Sequence, residues 1–161
     1  MKLLGVQVIS AEYHGYKESL RPYYEKYFRQ EPHPLLWCNT PISIFVEDYI
    51  KMGKEILDHL DDHLFIRYEY ERYSDSETVK DDSHKFNAAR RIINMVDSVR
   101  EHGYAKGKFN NKKHLIRVEK GFKSPYGSDL DGFKLLSRKH RAAAVVGMGI
   151  KEFKVRVHAS K

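Results

Sequence analysis

The sequence predicts an α+β fold of mixed α/β character: a small mixed sheet with packed helices, preceded by an α-rich N-terminal extension. Two observations carry this. Apolar residues recur at helical spacing in three stretches and alternate with period two in short runs around them. The chain has 161 residues and 19.0 kDa, with 41% hydrophobic and 32% charged residues and a mean hydropathy of −0.64. That is enough apolar material for one core and unlike the composition of a disordered chain.

Taken in order, residues 2–9 alternate as a strand. Leu20, Tyr23, Tyr24, Tyr27 and Phe28 follow at i, i+3, i+4, i+7 and i+8, an amphipathic helix with Pro22 in its first turn. Glu31-Pro32-His33-Pro34 breaks it, because each proline lacks an N–H and biases its predecessor to extended backbone. Thr40-Pro41 supplies a capping hydroxyl and a first-turn proline for a second helix. Ile42, Phe45, Val46, Tyr49, Ile50, Leu57 and Leu60 carry that helix to about residue 61. Ile66, Tyr68 and Tyr70, alternating with Arg67, Glu69 and Glu71, predict a half-exposed strand over 64–73.

The polar run Ser74-Asp75-Ser76-Glu77 follows as a loop, so the chain divides into an extension, 1–63, and a domain, 64–161. From Ser83 to His102 a third helix buries Phe86, Ala89, Ile93, Val96 and Val99 and ends at Gly103, with Arg100 and His102 in its last turn. A basic loop, a strand over His114–Glu119 and a turn-rich stretch to Gly132 come next. A strand over Phe133–Leu136 runs into a helix opening at Ser137 and stopping near Gly147 and Gly149; a strand over Phe153–Val157 closes the chain.

No apolar run reaches the roughly 18–20 residues of a membrane helix. The run Leu3–Ile9 is too short for a secretory signal, and Cys38 is the single cysteine, so no intramolecular disulfide or cysteine-built zinc site is expected. These features suggest a cytoplasmic protein that is not integral to a membrane. The net charge of +7 is unevenly spread. Residues 1–80 hold 10 Lys and Arg against 14 Asp and Glu, whereas residues 81–161 hold 19 against 8. The basic half suggests an anionic partner, nucleotide or nucleic acid ahead of a membrane surface; the alternative is a basic solubilising surface.

The most unusual local feature is Ser137-Arg138-Lys139-His140-Arg141-Ala142. A helix N-terminus carries about half a positive charge and several unpaired N–H groups, so each cation there costs on the order of 0.3–1 kcal/mol. Backbone donors, dipole and side chains would instead converge if an anion bound there, with Ser137 as cap or further donor. The other reading is a helix that starts elsewhere and presents a solvated basic face. Asp131-Gly132 upstream would make a tight turn into the strand; Asp131 is alternatively a ligand for a metal or a sugar hydroxyl.

The element order, with Asp131-Gly132 before a strand and Ser137-x-x-His140-Arg141-x-x-Ala144 opening the helix after it, resembles the ParB/sulfiredoxin-like domain family. The resemblance covers roughly residues 64–158. It implies a phosphate site at the strand-to-helix turn formed by Ser137, Arg138, Lys139, His140 and Arg141 with Asp131 and Gly132, and a nucleoside triphosphate (CTP or ATP) as ligand, with Mg²⁺ for any turnover. It further implies that Asn87, Arg90 and Arg91 of the preceding helix border that site. The family's glycine is Ser137 here, and Lys139 stands where sulfiredoxins carry their reactive cysteine, which argues against sulfiredoxin chemistry. With 20 residues after Arg141, no helix-turn-helix of the centromere-binding kind is expected.

Lys106, Lys108, Lys112 and Lys113, interleaved with Tyr104 and Phe109, are candidates for tracking a nucleic-acid backbone, with solvated loop lysines as the alternative. His59 and His63 stand at i and i+4, a metal-compatible spacing, but lack a recognisable third ligand. The tyrosine stripe at 23–28 reads as core or as an interface for a protein partner or homodimer. No Walker loop, dinucleotide fingerprint, zincin motif or nucleophile elbow occurs, and no catalytic residue is named. The expectation is a ParB/sulfiredoxin-like nucleotide-binding protein in a DNA-related process, with NTPase, nuclease or phosphotransferase activity open. The alternative is a non-enzymatic DNA- or protein-binding factor of phage or mobile-element origin.

Overall fold

A computed structural model describes residues 2–4, 8–9, 18–31, 33–74, 83–104, 115–122 and 132–159. Their elements run β1 (Lys2–Leu4), β2 (Val8–Ile9), α1 (Arg21–Tyr27), α2 (Pro41–Met52), α3 (Leu64–Arg72), α4 (Ser83–His102), β3 (Ile116–Phe122), β4 (Gly132–Ser137), α5 (Lys139–Gly147) and β5 (Glu152–Ala159). The fold is α+β. Among the described residues no helix is long and apolar enough to cross a membrane.

In α1, Tyr24 and Tyr27 are buried, and with Phe28 they close on Leu35, Leu36 and Tyr68 in a small aromatic core. Tyr27 and Phe28 meet the Tyr68 ring edge-on at 5.7 and 5.8 Å. These members of the tyrosine stripe therefore pack inside the chain. Buried Asn39 fixes the turn between α1 and α2 by donating from Nδ2 to the carbonyls of Glu31 (2.9 Å) and His33 (2.7 Å).

α2 begins as its sequence predicts: Thr40 Oγ1 accepts the Ser43 N–H and Pro41 occupies the first turn. It stops at Met52, nine residues before the expected end near 61. Gly53 leaves the helix at φ 64°, and 3₁₀ turns carry the chain to Asp62.

The expected strand over 64–73 is a helix. His63 caps α3: its Nδ1 accepts the Phe65 N–H at 3.1 Å, and its Nε2 lies 2.9 Å from Asp48 Oδ2. Phe65 and Ile66 then fill the main core, while Tyr68, three residues after Phe65, seats in the small aromatic core. The alternation of Ile66, Tyr68 and Tyr70 satisfies either period, and cap and packing decide. The capping role also occupies His63, whereas His59 is exposed. Among the described residues no three His, Cys, Asp or Glu side chains are grouped to hold a metal ion.

α4 matches its predicted span and ends at Gly103, φ 74°. Ala89, Ile93, Val96 and Val99 are buried as expected, together with Ile92. Phe86 is not: it is 37% exposed and lies under Lys85 and Arg90, with Nζ and Cζ 5.4 and 5.9 Å from its ring.

The sheet has the order β1-β5-β3-β4-β2. The single N-terminal strand expected over 2–9 is two short ones, β1 antiparallel to β5 and β2 parallel to β4. At the centre β3 runs parallel to β5 and antiparallel to β4. Ile116, Val118, Leu135, Phe153 and Val155 point into the helical layer, while Arg117, Lys154 and Arg156 stand exposed on the other face. α5 is wedged into the core, with Ala142, Ala143, Ala144 and Val145 all buried. These small side chains let it pack against both α2 and α4, and one core unites Phe45 and Val46 with Ile92, Val118 and Ala143.

Candidate functional site

The β4–α5 turn is where backbone and charge depart from the ordinary. Ser137 is the last residue of β4, not the helix cap the sequence suggests. Its Oγ is buried and makes no hydrogen bond among the described residues. Arg138 takes the N-cap position in the left-handed region (φ 70°, ψ 43°), the one non-glycine residue with positive φ among those described. Such a conformation costs a side-chain-bearing residue roughly 1–2 kcal/mol. It reverses the chain in one residue, so Lys139, His140 and Arg141 form the first helical positions and the Arg138 carbonyl accepts the Ala142 N–H at 2.9 Å. No side chain caps α5 at Arg138, and the first N–H groups of a helix have no intrahelical acceptor.

The basic side chains differ sharply in surroundings. Arg138 is exposed, Lys139 and His140 are half-buried, and Arg141 is 4% exposed. Burial, then the positive charges of Lys139 and Arg91, push the His140 imidazole down to about 4. It is therefore neutral at pH 7, a ring with hydrogen-bonding nitrogens and not a cation. Burial likewise lowers the Arg141 guanidinium, with Arg138 acting in the same direction and the Tyr104 hydroxyl opposing. Arg141 remains charged, as an arginine does in any protein environment.

Of the three α4 candidates, Arg91 is the one whose charge reaches the turn, through His140. Asn87, one helical turn earlier, is exposed, and Arg90 lies on the Phe86 ring. Gly132 opens β4 opposite Phe122, about 16 Å of strand from Ser137 at ~3.3 Å per residue, so the strand does not bring it to the turn. Asp131, Lys106, Lys108, Lys112 and Lys113 lie outside the described residues.

Two further groups border the turn, Glu69, which the sequence assigned to no site, and Tyr104, which it assigned to the basic loop. Glu69 of α3 lies 3.6 Å from His84 Nε2 of α4. Burial raises the Glu69 carboxyl, against the pull of Lys139 and His84. The misread helix hid this residue, since a strand would have placed it elsewhere. Tyr104, just after α4, ties the helix end to the sheet: its hydroxyl donates to the Lys154 carbonyl at 2.5 Å and accepts the Ile116 N–H at 3.1 Å. Its ring stacks edge-on with Phe153 at 5.9 Å. Tyr104→Phe removes both hydrogen bonds and strands a strand amide; urea unfolding should show a loss of about 1–3 kcal/mol.

Fold and turn together define an α+β protein with a concentrated basic helix start. Comparison with protein-family models, with curated proteins and with solved structures finds no match to this chain.

Proposed function

We propose that the protein binds a phosphate-bearing ligand, a nucleoside triphosphate such as CTP or ATP, at the β4–α5 turn. One observation carries this reading: basic groups that repel one another are gathered at the positive end of a helix dipole. Lys139 and Arg91 both disfavour a proton on His140, and Arg138 disfavours one on Arg141. Where these basic groups face one another the arrangement costs free energy; with an anion, the same cations and the first N–H groups of α5 become its ligands. The resemblance of Ser137-x-x-His140-Arg141 to the phosphate turn of ParB/sulfiredoxin-like domains points the same way.

In this reading Arg138 and Lys139 contact the outer phosphates, Arg91 closes the site from α4, and neutral His140 offers a ring N–H. Arg141, held in the core, supports the turn electrostatically. Mg²⁺ bound to a triphosphate characteristically uses one or two carboxylates, and Glu69 beside Lys139 is the described carboxylate in that position.

Calorimetric titration with CTP and ATP, with and without Mg²⁺, tests it. Lys139→Gln and Arg91→Gln should each weaken binding roughly ten- to a hundredfold, the loss of one charge-assisted hydrogen bond. No binding of any nucleoside triphosphate at high micromolar concentration would overturn the proposal.

A further inference from the structure

The sheet face turned away from the helices is a second basic surface, separate from the nucleotide turn in the residues that build it. Along β5, Lys154 and Arg156 alternate with the buried Phe153 and Val155, so their side chains project on one side about 6.6 Å apart. Arg117 of β3 lies in register with Arg156. Neighbouring strands are ~4.8 Å apart, and like charges directly opposite one another destabilise a sheet. Neither Lys154 nor Arg156 has a side-chain ion pair or hydrogen bond among the described residues.

Arg117 is steadied by an imidazole: its Nε donates to His158 Nε2 at 3.1 Å, and among the described residues no carboxylate pairs with its guanidinium. The carboxylate at the middle of the face, Glu119, is 3.8 Å from Lys134 Nζ and thus answered by a cation of its own. A second carboxylate, Glu152, stands exposed at the start of β5 on the same side as Lys154. The centre of the face is therefore a net-positive triad, Arg117, Lys154 and Arg156, exposed on paired strands.

We infer that this triad is a docking surface for the phosphate backbone of a single-stranded nucleic acid. Charge complementarity selects a polyanion, and the repeat along β5 suits an extended one. Among the described residues no helix or ribbon projects from this face to enter the groove of a duplex. Apart from the imidazole of His158, the outward-facing side chains described on β3–β5 include no aromatic ring to stack on bases, so recognition by them would run through phosphates and be indifferent to sequence.

Fluorescence anisotropy of the full chain with a labelled oligo-dT tests the inference. The wild type should bind with a log–log salt slope near −2, as expected for about three phosphate contacts at ~0.7 each. Arg117→Glu/Lys154→Glu/Arg156→Glu should weaken binding at least tenfold and flatten the slope, while circular dichroism and the ATP or CTP titration stay as in wild type. Lys139→Gln should leave oligo-dT affinity unchanged. The inference fails if the triple variant binds oligo-dT as tightly as wild type. It also fails if duplex DNA of equal length, or phosphatidylserine vesicles, bind tenfold more tightly than the single strand. Loss of nucleotide binding in the triple variant would return the effect to the β4–α5 turn and overturn the separate surface. Failure of nucleotide titration in the wild type, with oligo-dT binding intact, would overturn the nucleotide reading alone.

Discussion

Replacing Gly147 with alanine is expected to destabilise the protein by about 1–3 kcal/mol, the usual cost of a methyl group forced into a filled core. A Cβ at this position would lie 2.5 Å from Val46 Cγ1, 2.6 Å from Val46 Cβ and 3.0 Å from the Ser43 carbonyl. Val46 is β-branched and fully buried and Ser43 contributes backbone, so neither yields by rotating a distal side chain. Alanine gains at most ~1 kcal/mol of helix propensity over glycine, and less at a helix end, so the clash decides the sign. Thermal unfolding should show the loss as a drop of roughly 2–4 °C per kcal/mol for a chain of this size. Val46→Ala removes the Cγ1 contact while its Cβ and the Ser43 carbonyl stay, so the double variant should recover part of the loss and be more stable than the sum of the single losses. Purely additive losses would show that α5 does not approach α2 this closely.

Acidification is expected to destabilise the folded chain through His140, with an effect on the order of 2–3 kcal/mol. The folded protein holds this imidazole neutral down to about 4, while the unfolded chain protonates it near its ordinary 6.5. Between those values the unfolded state binds the extra proton, so stability is full above about pH 6.5 and falls as the pH approaches 4. Urea midpoints for wild type and His140→Asn at about pH 7.5 and 4.5 isolate this contribution from that of the carboxylates. The wild type should lose more stability than the variant over that interval. An imidazole titrating near 6.5 by NMR would refute the assignment. Saturating nucleotide should raise the His140 value, because a bound phosphate offsets Lys139 and Arg91; this links the pH effect to the proposed ligand.

Much of the fold is legible in the sequence because its signals are local. Thr40-Pro41 starts α2 through a hydroxyl and a ring within three residues of the first turn, and Gly103 ends α4 through its own φ. The 20 residues of α4 carry enough helical turns for the period to be unmistakable. By contrast, Leu64–Arg72 has only nine residues, and its tyrosines and isoleucine suit a strand as well as a helix. The deciding interactions are the His63 cap held by Asp48 and the Tyr68 ring seated against α1, and Asp48, Tyr27 and Phe28 lie far from α3 in the sequence. Phe86 is exposed for a related reason: periodicity marks a helical face, but the neighbours present determine how wide a stripe is covered.

By itself the sequence determined the α+β class, the position of the long helix, and the density of positive charge at 138–141. Charge and periodicity are properties of consecutive residues and need no partner. Only the tertiary structure decided which of those charges persist and what faces them. Burial removes the charge from His140; the packing of α4 against α5 brings Arg91 to the turn; the left-handed Arg138 starts the helix one residue after Ser137. Parallel pairing of β3 with β5 sets Arg117 beside Arg156, 39 residues away in the chain. Desolvation and through-space charge depend on three-dimensional proximity, which residue order alone leaves open.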